Sequence, residues 1–274
     1  MNASTALHYT ITPDPHRHVF HMTLLIRNSH SEGVTFFLPN WIAGSYMMRD
    51  FARHIVSISA TDHDGNPVEL TPLNQFSLRS AAFEGSLTVS YEVFAHDPSV
   101  RTGFLDTRTG FFNATSLCLS VEEYSQQPHR LALNAPKGFE HWQIATQLTR
   151  IASTPEHGFG VYSATNYDEL ADRPVRMGPL TWLHFSACGI PHSIAISGEL
   201  SNLAAQRLSN DVQAICTAQL RLFEPKIQQT EAKPFESYLF MLDVRQSAYG
   251  GLEHRDSTAL LCSRDSLPTT LDEQ

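Results

Sequence analysis

The chain has 274 residues, of which 42% are hydrophobic and 17% charged, enough to bury one large or two ordinary cores and too apolar to be intrinsically disordered. Its formal net charge is −9, from 19 basic and 28 acidic residues, and no Lys/Arg-rich block occurs, which argues against nucleic acid or an anionic membrane as partner. No stretch approaches the roughly 18 unbroken apolar residues of a membrane helix, and the start MNASTALHYT lacks the basic and apolar regions of a signal peptide.

From the N-terminus to about residue 165 the pattern is strand after strand. HVFHMTLLI (18–26) sets Phe20, Met22, Leu24 and Ile26 on one side. HIVSISA (54–60) does so with Val56 and Ile58, and LTVSYEV (87–93) with Leu87, Val89, Tyr91 and Val93. SLCLSV (116–121) and RLALNA (130–135) repeat the period of two. Turn clusters separate them: NSHSEG (28–33), TDHDGNP (61–67) and AHDPS (95–99). Half-buried strands at this spacing, with no convincing helix, predict an all-β sandwich over residues 1–172.

YDELADRPVRMGP (167–179), with two prolines and mixed charge, reads as the boundary. In the second part, 173–274, TWLHFSA (181–187) and HSIAIS (192–197) flank a Gly-Ile-Pro turn and form a hairpin. A helix follows over roughly 202–223, capped by Ser201 or Asn202, with Leu208, Val212, Ile215 and Leu222 on one face and Pro225 ending it. FESYLFMLDV (235–244) is a near-continuous apolar strand, buried on both faces. GGLEH (250–254) and STALLC (257–262) are two further extended pieces. The order β-β-α-β-β leaves an apolar sheet with one covering helix, and its second face is expected to lack cover. The polar tail SRDSLPTTLDEQ ends in mid-loop.

The segment YGGLEH carries the most suggestive chemistry. Two glycines in a strand weaken it and mark either a bulge or a close backbone approach. In the second case Gly250 and Gly251 let a peptide backbone pair with this edge, and the Glu253 carboxylate meets a free ammonium through a charge-assisted bond. None of the 14 histidines begins an H-E-x-x-H. HRHVFH (16–21) is the densest histidine cluster, with His16 and His18 on the same side of a strand, but such a surface pair is more often solvated than metallated. Cys118, Cys188, Cys216 and Cys262 lie far apart without a C-x-x-C pair, as in a cytoplasmic protein with reduced thiols. Ser-His-Asp triads and glycine-rich phosphate loops are absent. In WIAGSYMMRDF, Gly44 and Ser45 suit a turn, while Trp41, Tyr46 and Phe51 read as core; YDELADRP reads as a hinge with a helical turn.

Three stretches, LPNWIAGSYMMRDFARHI (38–55), YDELADRP (167–174) and GGLEHRDST (250–258), resemble in order the signatures of the glycyl aminopeptidases. These are gluzincin metallopeptidases with an N-terminal β-domain, a thermolysin-like catalytic domain and often a C-terminal PDZ domain. The resemblance implies that residues 1–172 are the N-terminal β-sandwich domain. It implies that 173–274 are the first, incomplete half of the thermolysin-like α/β lobe, truncated before the zinc motif. The whole would be a zinc-dependent aminopeptidase acting on peptides with small N-terminal residues such as glycine. Its zinc ligands would lie beyond residue 274, leaving no catalytic or metal residue in this chain and making the fragment inert. Gly250, Gly251, Leu252, Glu253 and His254 would bind the peptide substrate. The related alanyl aminopeptidases carry Gly-x-Met-Glu-Asn there, and His254 stands where their Asn would be. Truncation would favour self-association through the uncovered sheet face. The alternative is a complete, non-catalytic peptide-binding β-module.

Overall fold

The computed structural model describes residues 7–270, except 199, 228, 230 and 231, so the end of the polar tail (271–274) lies outside the described residues. Two compact units, Met1–Gly178 and Pro179–Gln274, divide the chain.

In the first unit the period-two segments assemble an eight-stranded sheet. Leu7–Asp14 pairs antiparallel with Val19–Ile26 and parallel with His129–Leu133. Val19–Ile26 continues through Leu87–Phe94 to Ile55–Asp62 and Pro67–Val68. His129–Leu133 continues through Gly160–Ala164 to Thr149–Arg150. One face of the central strands is buried, by Tyr9 and Ile11, by Phe20, Met22 and Leu24, and by Val89 and Tyr91. Phe20 meets Phe112 edge-on, with ring centroids 5.5 Å apart. Phe112 belongs to a four-stranded sheet ordered Gln143–Ala145, Val175–Gly178, Gly110–Phe112, Phe104–Leu105. A third sheet runs Ser120–Val121, Thr35–Phe37, Ser77–Ser80, Leu70–Pro72. The fold is mainly β, as the alternation predicts.

Two local expectations fail here for physical reasons. The register between Ile55–Asp62 and Leu87–Phe94 shifts at Ile55/Ser57, so Val56 is 61% exposed and does not share a buried face with Ile58. Of 116–121 only Ser120–Val121 is strand. Residues 117–119 run through the interior, buried on every side, and their carbonyls are met by tyrosine hydroxyls: Tyr91 to Leu117 at 2.8 Å, Tyr167 to Cys118 at 2.8 Å, Tyr9 to Leu119 at 2.7 Å. The helical turn expected in YDELADRP is present. Asn166 caps the helix Tyr167–Ala171 by accepting from the Glu169 N–H at 2.8 Å, and Tyr167 and Leu170 are buried. The next strand, Val175–Gly178, is buried throughout and pairs on both sides, which carries the first unit to Gly178.

The second unit is a five-stranded sheet ordered Thr181–Ala187, Ile190–Gly198, Tyr238–Arg245, Ser257–Ser263, Tyr249–Glu253. Its hairpin turns at Cys188-Gly189, both with positive φ (51° and 78°), the geometry of a two-residue turn, and not at Gly-Ile-Pro. Ile190–Gly198 and Tyr238–Arg245 are parallel and joined through the helix Ala205–Phe223. That helix starts later than expected and Ala204 precedes it without a side-chain cap. Its row facing the sheet is Leu208, Val212, Cys216 and Leu220, spaced by four, the first two half-buried and the last two buried, and it packs on Ile190, Ile194, Ile196 and Phe240. Ile215 and Leu222, expected on that row, are 56% and 71% exposed.

The sheet has a second face, opposite the helix. Leu239 and Met241 point there, and both are buried, as are Ala195, Leu252 and Ala259 beside them. An alternating pattern tells which side chains are apolar, not what lies against them.

Candidate functional site

Tyr249–Glu253 is the outer strand of this sheet. It pairs antiparallel with Ser257–Ser263, and among the described residues no strand pairs with its other side. The register runs without a shift from Tyr249↔Cys262 to Glu253↔Thr258. His254 N–H then donates to the Ser257 carbonyl at 2.9 Å, and the Thr258 hydroxyl donates to the Leu252 carbonyl at 3.1 Å, closing the turn.

There is thus no bulge to explain the two glycines, and neither has a positive φ. A Cβ placed on Gly250 would meet only Leu261 Cδ1, at an ordinary 3.8 Å. One on Gly251 would lie 3.2 Å from Leu260 Cδ2 and 3.7 Å from Glu253 Oε1. Gly198 in the same sheet shows the contrast: its φ is 107° and an added Cβ would sit 2.2 Å from the Val244 carbonyl oxygen. Gly198 is glycine because the fold requires it, whereas Gly250 has no such requirement from within the chain.

Alternation divides the strand's side chains between the two faces. Leu252 is fully buried and anchors the strand. Tyr249 and Glu253 lie on the other face with Gly251, and both are exposed. The structure therefore brings Gly250, Gly251 and Glu253 together on one accessible edge, while Leu252 serves packing and His254 begins the turn.

The histidine pair behaves differently from its sequence reading. His16 and His18 occupy the turn before Val19, not one face of a strand. His16 packs on Phe139; His18, with φ of 57°, lies tilted against His96 with ring centroids 4.0 Å apart and places Nδ1 2.6 Å from the Leu105 carbonyl. Among the described residues no group of three or more His, Cys, Asp or Glu side chains is arranged to hold a metal ion. Since H-E-x-x-H is also missing from the sequence, these residues do not fit a catalytic zinc.

Sequence reasoning misplaced one further feature. Phe51 is core, but Trp41 is 56% exposed and Tyr46 fully so, together with Met47 and Met48. Their loop is tied by Arg49 N–H donating to Asn40 O at 2.7 Å and Arg49 Nε–H to Ser45 Oγ at 2.9 Å.

The fold is that of the front part of metallo-aminopeptidases. Residues 8–179 match the Peptidase M61 N-terminal domain. That is more than half of the sequence, and the chain belongs to the M61 peptidase family. An aminopeptidase N family protein from Idiomarina loihiensis is 40% identical with a TM-score of 0.89, over 96% of this chain and 43% of its own. A two-domain M1 zinc metallopeptidase variant bound to L-arginine shares the fold at 12% identity and TM-score 0.50, over 95% of this chain and 59% of its own. The chain thus spans less than two thirds of these relatives. No curated protein matches it. Among the described residues no helix is long and apolar enough to cross a membrane.

Proposed function

We propose that this chain is the N-terminal part of a zinc-dependent aminopeptidase, and that the strand Tyr249–Glu253 receives the substrate. A peptide adds to the outer edge as a further strand, with Gly250 and Gly251 giving its backbone close approach. The Glu253 carboxylate takes the substrate's free ammonium, selecting for an unblocked N-terminus and, with the glycine edge beside it, for a small first residue. Leu252 fixes the strand from beneath, and His254 holds the turn that sets the angle of Glu253. The zinc and its ligands are contributed by sequence beyond residue 274, in a protein of cytoplasmic location. The observation that carries this reading is Gly250, a glycine on an unshifted, accessible edge where nothing in the fold calls for one.

Peptide titration of the chain tests it. A glycyl tripeptide with a free amino terminus is expected to bind about tenfold more tightly than its N-acetyl form, the worth of one charge-assisted hydrogen bond. Glu253→Gln should erase that preference, and Gly250→Val should weaken both peptides. Equal affinity for free and acetylated peptides would remove Glu253 from amine recognition. Binding that Gly250→Val leaves untouched would place the substrate elsewhere.

A further inference from the structure

The second unit holds a half-open pocket of about 260 Å³ beside the last turns of the helix Ala205–Phe223, with Phe223 at its exposed side. Cys216, Leu220 and Phe223 line it from the helix; His192, Phe235, Tyr238 and Phe240 line it from the other side. An apolar cavity of roughly 150 Å³ is enough to take benzene, so this one has room for a substituted ring.

Its one deeply buried polar wall group is His192, which is 3% exposed. The imidazole lies nearly parallel to Phe185, centroids 5.0 Å apart, and against Phe235, Tyr238 and Phe240. Its Nδ1 is 2.8 Å from the Ile190 carbonyl. A carbonyl only accepts, so Nδ1 carries the proton and Nε2 is left as an acceptor. Burial holds the ring's pKa below its ordinary value and keeps it neutral, and burial raises that of the Cys216 thiol, which keeps its proton. No donor among the described residues meets Nε2. Nε2 is not enclosed in packed core: His192 lines the pocket, and its free lone pair is open to an incoming donor.

We propose that this cavity binds a small neutral aromatic group bearing one hydrogen-bond donor, a phenol or an indole, with its ring among Phe223, Phe235, Tyr238 and Phe240 and its O–H or N–H donated to His192 Nε2. The same chemistry is offered by a free small molecule and by a tyrosine or tryptophan side chain of a peptide. An anionic ring finds no cation among the lining residues: besides the Cys216 thiol and the apolar groups, the helix end contributes the Gln219 amide and the Glu224 carboxylate.

Two matched pairs of probes test this on the intact chain: p-cresol against p-xylene, and N-acetyl-tyrosine amide against N-acetyl-phenylalanine amide. The hydroxylated member of at least one pair should bind saturably and about tenfold more tightly than its partner, and should move the ¹⁵N resonance of His192 Nε2. Which pair binds decides between a free ligand and a side chain. His192→Phe should erase the preference, and Leu220→Trp should abolish binding by filling the cavity. Equal affinity within each pair, an unmoved Nε2 resonance, or no saturable binding of any probe would overturn the proposal. The resonance is read on the unmutated protein, so a variant that fails to fold does not blunt the test.

Discussion

Residues 117–119 of the first unit and the strand Tyr249–Glu253 of the second both carry main-chain groups outside the interior of a sheet, and they are treated in opposite ways. The first stretch is buried, and three tyrosine hydroxyls from three separate segments reach its three carbonyls. The second is left accessible, with glycine where a side chain would have fitted. Unpaired backbone inside a protein must be matched, because an orphaned carbonyl costs about as much as a lost hydrogen bond. Backbone left accessible at the edge of a sheet costs little and is a template for another chain. One region shows a fold closing on itself, the other a fold presenting a place for a partner.

If the first region is internally closed, charging its interior should be the most damaging change. His129 is fully buried between Tyr9 and Tyr167, with Nδ1 donating to the Gln127 carbonyl at 2.6 Å and no partner at Nε2. Burial lowers its pKa from 6.5 to about 4. Its folded pKa is the lower one, so above pH 6.5 the group is neutral in both states and contributes no pH dependence. Between pH 6.5 and 4 the unfolded chain binds a proton that the folded chain refuses, and stability falls by on the order of 3 kcal/mol. Urea titrations from pH 7 to 4 should show this slope, and His129→Gln should flatten it. An unchanged slope in the variant would mean that this interior tolerates charge.

A smaller effect is expected from Tyr91→Phe. The hydroxyl donates to Leu117 O and accepts from Leu119 N–H at 3.2 Å, so its removal orphans two buried groups in a core that loses no carbon. Destabilisation of about 1–3 kcal/mol in chemical unfolding is the expected result. A neutral variant would show that water replaces the hydroxyl and that the segment is less closed than its geometry indicates.

The smallest effect belongs to the open edge. Gly250→Ala adds a methyl at ordinary contact distance and removes backbone freedom from the unfolded chain, so stability should rise or hold within about 1 kcal/mol. A loss well beyond that would mean that Gly250 is glycine for the fold's own sake, and the contrast between the two regions would collapse.

The sequence by itself determined the succession of strands and the single long helix, because alternation and the helical period depend on which side chains are apolar, a local property. The two glycines and Glu253 were likewise visible, since glycine and an acid in an extended apolar setting stand out wherever they occur. Register and depth were decided only in three dimensions. The shift at Ile55/Ser57 exposes Val56, the burial of 117–119 replaces a strand by tyrosine-capped backbone, and the Leu208–Leu220 row displaces Ile215 and Leu222 from the core. Each depends on partners distant in the chain: a pairing strand, a hydroxyl up to 110 positions away, or a sheet beneath a helix. The absence of a bulge at Gly250-Gly251 belongs with these, for a bulge is a relation between two strands and no single strand's sequence contains it.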